Sequence, residues 1–175
     1  MKRGTMSLLF GVHQLFWHPF TVMLGWWELY GRPSWRELVC IFIHDWGYWG
    51  CETIDGIDGA KHPEVGGDIA WRLFRRPDLQ LLVYYHSRHY ARRHDTEPSK
   101  LCYADKLSIK YDPWWFYLLR AKLSGELAEF KPNGERFVGH PMTDREWFIW
   151  VQAHLVKVAT EQRGDAVPYT NEVVK

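Results

Sequence analysis

The sequence predicts an all-α protein, and three observations carry that reading. No run of residues alternates polar and apolar for long enough to make a convincing strand. Apolar residues instead recur at helical spacing between glycine and proline punctuation. Two helix-start signatures, Ser34 with Glu37 and Thr143 with Glu146, have the spacing of capping boxes. A chain of 175 residues can bury a core without staples, so one domain over 1–175 is expected.

The elements follow in order. The apolar N-terminal stretch "MSLLFGVHQLFWHPFTVMLGWWELYG" imitates a leader or a membrane span. His13, Gln14, His18 and Pro19 interrupt it, and no small-residue cleavage site follows, so no membrane span is expected. A first helix is expected from about His18 to Tyr30, stopping at Gly31-Arg32-Pro33. Ser34 then opens a second, ending at Gly47, with Trp35, Leu38, Val39, Phe42 and Ile43 as its core stripe. "CETIDGIDGAKH" is glycine-broken and reads as a loop. A helix from about Pro63 to Arg75 is expected to bury Val65, Ile69, Ala70, Leu73 and Phe74. Pro77-Asp78 starts another, with Leu79, Leu82, Val83 and His86 on one side. Residues 90–98 read as a charged loop, and Ser99 as the cap of "KLCYADKLSIK". Asp112-Pro113 starts an aromatic helix, "KPNGERFVGHP" reads as a turn-rich excursion, and Thr143 caps a last helix to about Glu161. The motif-bearing core thus spans about 18–110, with helices over 113–162 packed on it.

Composition narrows the classes. Apolar residues make up 46% and charged residues 25%, as in ordinary globular proteins. A net charge of +1 gives no global case for nucleic acid or acidic membranes, and no nucleic-acid module is visible. Cys40, Cys51 and Cys102 are too few and too scattered for a disulfide framework, and none forms a CxxC pair. They read as reduced thiols of a cytoplasmic protein, two of them in the core.

The unusual feature is where histidines and aspartates fall. His18 lies near the start of the first helix, His44-Asp45 end the second, His62 starts the third, His86 lies on the fourth, and Asp105 sits in "YADKLS". Each stands on or beside an apolar stripe, and converging imidazoles and carboxylates are how helical proteins build metal sites. Mixed nitrogen and oxygen ligation suits one or two divalent ions, without choosing among Mn, Fe, Co, Ni, Zn or Mg.

The ordered set His, His-Asp, His, His, Asp resembles the HD-domain superfamily of metal-dependent phosphohydrolases. The flanking words "HDWGYWG", "HPEVGG" and "YADKLS" resemble its segments as well, over about residues 18 to 110. The resemblance implies a helical bundle of the HD-domain type and a hydrolase acting on a nucleotide or other small phosphorylated molecule. It implies one metal held by His18, His44, Asp45 and Asp105, with Asp45 bridging to a second held by His62 and His86. A water activated by the metals would be the nucleophile. His13 is the alternative first ligand, and His89 competes with His86 or orients substrate. The chain has "HSRHYARRHD" where the "HPE" branch of the family carries a Gly-Tyr-Pro word, so no cyclic-dinucleotide substrate is inferred. His94-Asp95, among arginines in a loop, is read as a decoy.

Lys61, Arg88, Arg92, Arg93 and Lys106 are the basic residues near the expected mouth, with Lys61, Arg88 and Lys106 preferred for phosphate. Asp55 and Asp58, in "DGIDG", are either general-acid candidates or turn residues. Trp46 and Trp49, with Tyr48, are candidates for a substrate wall, and Trp114 to Tyr117 for core, groove or a face between two copies. Two alternatives share the ligand pattern: a di-iron oxygenase of the HD type, and a non-catalytic nucleotide-binding module.

Overall fold

Helix after helix forms where the punctuation allows it. The computed structural model describes residues 1–161. In chain order the helices are α1 (Arg3–Phe10), α2 (Trp17–Tyr30), α3 (Trp35–Ile43), α4 (His62–Phe74), α5 (Pro77–Tyr84), α6 (Arg88–Arg93), α7 (Lys100–Ser108), α8 (Trp114–Ser124), α9 (Glu126–Val138) and α10 (Asp144–Glu161). Single 3₁₀ turns lie at Trp46–Tyr48, Gly59–Lys61 and Ile109–Tyr111, and there is no strand among the described residues. No helix among them is long and apolar enough to cross a membrane. Residue 162, the expected end of the C-terminal helices, lies outside the described residues.

The predicted starts hold where the chemistry is local. Ser34 accepts from Glu37 N while Glu37 reaches back to Ser34 N. Thr143 and Glu146 form the same reciprocal pair at the start of α10. Gly31 ends α2 at φ 78°, a conformation that disfavours a side chain.

Two apolar clusters organise the helices. The first joins α2, α3, α4, α5 and α7 through Val22, Trp26, Ile41, Ala70, Val83 and Leu101. The second joins α8, α9 and α10 through Leu118, Ala121, Leu127, Trp147 and Phe148, with Val12 and Ile109 added from earlier segments. All three cysteines are free and buried, including the one expected outside the core.

Several expectations are corrected. In α3 the buried side chains are Cys40, Ile41 and Ile43, with Val39 packed beside them, while Trp35 and Phe42 are exposed; past Glu37 the helix is apolar on every side, so spacing alone does not select its inner face. It also ends at Ile43, ahead of Gly47. In α4, Val65 and Leu73 are exposed, Ile69 and Phe74 pack on the first cluster as expected, and the most buried surface is Gly66, Gly67 and Ala70. A Cβ on Gly66 would lie 2.7 Å from Ile43 O, so α4 docks on the end of α3 backbone to backbone, a contact that a search for large apolar residues overlooks. Residues 88–93 form a short helix, capped by Ser87, that buries Tyr90 and Ala91. The stretch read as a turn-rich excursion is mostly α9, with Pro132 inside it. Proline there removes one helical hydrogen bond. The helix continues because Phe130 and Val138 pack on the second cluster and Gly134 lies against the Trp147 ring.

A buried polar network ties the chain's first turns to its last helices. Glu126, fully buried, receives Ser7 Oγ at 2.6 Å, Val12 N at 2.8 Å and Ser124 Oγ at 2.5 Å, and lies 2.7 Å from His13 Nδ1. Beside it, Arg120 pairs with Asp112 and donates to the carbonyls of Gly11 and Val12. The segment between α1 and α2 is thereby fixed from the C-terminal half.

Candidate metal centre

The same helix ends carry the site. His18 stands in the first turn of α2, His44 caps α3, Asp45 precedes the 3₁₀ turn at 46–48, His62 opens α4, His86 follows α5 and Asp105 lies on α7. The structure brings all six together, and His18, His44, Asp45, His62 and His86 are buried.

Asp45 is at the centre and its two oxygens face different groups. Oδ2 lies 3.2 Å from Nε2 of both His18 and His44. Oδ1 lies 3.4 Å from His86 Nε2 and 3.6 Å from His62 Nε2. Asp105 Oδ1 lies 3.1 Å from His18 Nε2, and the Nε2 atoms of His62 and His86 are 2.9 Å apart. Two ligands at right angles on a metal at about 2.1 Å would be about 3 Å apart, so these separations would suit groups sharing an ion.

Three rings are aimed inward by the same device. His44 Nδ1 donates to Ile41 O at 2.6 Å, His62 Nδ1 to Gly59 O at 2.7 Å and His86 Nδ1 to Val83 O at 2.6 Å. Each bond fixes the tautomer and leaves Nε2 facing the centre, the usual arrangement behind a metal-binding imidazole. His18 Nε2, His44 Nε2 and Asp45 Oδ2 are buried without a hydrogen bond, although they lie within reach of one another. Orphaned polar atoms in a dry interior are costly, and a cation in their midst would satisfy all three. Donor atoms of His18, His44 and Asp105, and of His44, Asp45 and His86, gather within 4.8 Å, close enough to hold a metal ion.

Electrostatics divide the cluster into halves. At His62 burial holds the pKa well below the usual imidazole value, and His86 beside it adds to the effect. His86 is also lowered, again first by burial. Those two rings are neutral and ready to ligate. Burial opposes protonation of His18 and His44 too, but the Asp105 and Asp45 carboxylates outweigh it and raise both. Burial likewise opposes ionisation of Asp45, yet His44 and the other rings hold its pKa well below the usual carboxylate range.

The remaining candidates are placed more variously. His13 is not in the cluster: its Nδ1 is held by Glu126, and its ring meets His18 edge-on at 5.5 Å. His89 is exposed on α6, and the ring that reaches Asp45 is His86. His94 stacks on Tyr90 at 4.3 Å, away from the centre, as expected of a decoy. Lys106 is not free for substrate, because its Nζ lies 3.0 Å from Asp105 Oδ2. Lys61 is exposed directly before α4, and Arg88 is half-buried at the start of α6. Asp58 is exposed and accepts from Glu52 N at 2.5 Å and Thr53 Oγ1 at 3.0 Å, which lowers its pKa and makes it a turn residue. Asp55 behaves oppositely: it is open to solvent on one side, but desolvation by the protein around it, with Glu129 beside it, pushes its pKa up to about 6. Trp46 and Trp49 are exposed, whereas Tyr48 is buried and stacks on His62 at 4.0 Å.

Gly47 closes the gap between two ligand-bearing segments. A Cβ there would lie 2.0 Å from His62 O, so no side chain fits without moving α4. Gly47→Ala is expected to cost about 3 kcal/mol and to lower metal affinity, checked by denaturant unfolding and metal titration.

The His13–Glu126 pair was beyond sequence reasoning, since nothing local links residue 13 to residue 126. No family model, no curated protein and no solved structure matches this chain.

Proposed function

We propose that the protein is a metal-dependent phosphoric ester hydrolase of the HD-domain type, acting on a nucleotide or other small phosphorylated molecule. One observation carries the reading: Asp45 turns one oxygen to His18 and His44 and the other to His62 and His86. That is the disposition of a carboxylate bridging two cations, and the orphaned buried atoms beside it support a bound ion. The ordered motifs of the sequence supply the reaction class.

When bound, divalent metals would lower the pKa of a water and polarise phosphoryl oxygens. The protein's own groups do the rest. His18, His44 and Asp105 would hold one ion, His62 and His86 the other, and Asp45 both. Lys106 offsets the charge of Asp105. Tyr48 keeps the His62 ring flat against it and excludes water from that side. Lys61 and Arg88 are candidates to meet the phosphate, and Trp46 and Trp49 to contact the leaving group. Asp55, with its raised pKa, is the better proton donor of the loop; Asp58→Asn is expected to keep near-full activity, measured as phosphate release, while Asp55→Asn loses about tenfold or more.

The test is a panel of nucleotides and phosphoesters assayed over several metals. Release that depends on metal and disappears in the Asp45 variant is expected. Native iron with substrate-dependent O₂ consumption and no phosphate release would replace the hydrolase with an oxygenase. Binding of nucleotide without turnover would leave only a binding module. Chelation is also expected to lower Tm by about 5–10 °C, because an ion at 100 times its Kd stabilises by about 2.7 kcal/mol.

A further inference from the structure

Away from the metal centre, α8 carries an exposed apolar row at helical spacing: Trp115, Leu119 and Leu123, 57%, 49% and 58% exposed. Phe16 and Phe20, at the start of α2, are 73% and 43% exposed. The two rows are joined: Trp17 meets Phe20 at 6.0 Å and Phe116 at 5.3 Å, and Phe116 meets Trp115 at 5.6 Å. At the other end, the close approach of Gly11 to Ser124 brings the end of α1, which carries the exposed Phe10, to the end of α8, which carries Leu123. The result is one ridge contributed by α1, α2 and α8.

We infer that this ridge is where a second copy of the chain binds, forming a two-fold dimer. Area is the first argument. With about 150–250 Å² available per large side chain, these exposures leave on the order of 600–700 Å² of apolar surface. That exceeds the largest patch of a typical monomer and approaches the ~800 Å² that each partner of a stable complex buries. Chemistry is the second. A ridge of phenylalanine, tryptophan and leucine is complementary to itself, as a two-fold interface requires. Charge is the third, and it argues against a lipid surface. The helix α2 has no lysine or arginine, and the cations of α1 and α8 are engaged: Arg3 with Glu129, Arg120 with Asp112, Lys122 with Asp144. None is left to meet anionic headgroups, the usual second signal for membrane attachment.

Light scattering and sedimentation velocity on the full chain, up to about 100 µM, test this. Wild type should have twice the 20.9 kDa chain mass. Phe16→Glu and Trp115→Glu should each weaken the dimer by about tenfold or more, and together leave a monomer. Both positions are solvent-exposed, so helical content and Tm should stay near wild type when monomeric. A wild-type monomer at the highest concentration, or a dimer that survives both substitutions, would overturn the proposal. So would binding to phosphatidylcholine–phosphatidylglycerol vesicles without self-association. None of these outcomes depends on the metal or the reaction.

Discussion

Asp45→Ala is expected to abolish metal-dependent phosphate release and to lower metal affinity by more than about 100-fold. Removing a group that merely orients a ligand already costs ~10- to 100-fold, and Asp45 touches both halves of the cluster. The metal-free variant should also be less stable. Without Asp45, the Nε2 atoms of four imidazoles face one another with no carboxylate at their centre. Asp45→Asn is the sharper test, because it keeps the shape and supplies an oxygen but no charge. Metal content by elemental analysis and activity should fall together in both variants. Retention of one ion with full activity in Asp45→Asn would show that the bridging role is wrong.

The second large effect concerns stability rather than chemistry. Glu126→Gln is expected to cost about 3 kcal/mol and to lower Tm by about 6–12 °C. Both carboxylate oxygens accept, one from Ser7 and His13 and the other from Val12 and Ser124. An amide keeps only one acceptor and turns an NH₂ group towards donors, and the Val12 N–H cannot rotate away. The effect should also depend on pH. Burial opposes ionisation of Glu126, but His13 and the hydroxyls outweigh it and lower its pKa, so its contribution is present above about pH 4.3 and fades as pH falls through the lowered value. Burial opposes protonation of His13, but Glu126 outweighs it and raises its pKa, so its contribution is complete below about pH 6.5 and fades as pH rises through the raised value. The Tm gap between wild type and variant should be widest between those limits and narrow on either side. A gap constant from pH 3 to 9 would mean that the pair is not ionised.

Local chemistry made much of the molecule legible in the sequence. Ser34 and Thr143 announce their helices because a cap involves only neighbours. The six clustered residues were legible because each sits where an apolar segment turns polar, and because their order resembles a family pattern. What stayed hidden depends on distant partners. His13 looks like a metal ligand until Glu126 is seen beside it. The inner face of α4 was misjudged because backbone contact through glycine leaves no apolar signature, and that of α3 because its second half is apolar on every side. Pro132 hid α9, since only packing against Trp147 and its neighbours keeps that helix going.

The Glu126 network has a consequence for the order of events during synthesis. All six clustered residues have left the ribosome once residue 105 has emerged, yet the segment that sets His18 is held by Arg120 and Glu126. A nascent chain ending near 110 would own every donor atom and still lack the anchor that positions the first of them. A metal site that includes His18 would therefore be complete only once α8 and α9 have appeared.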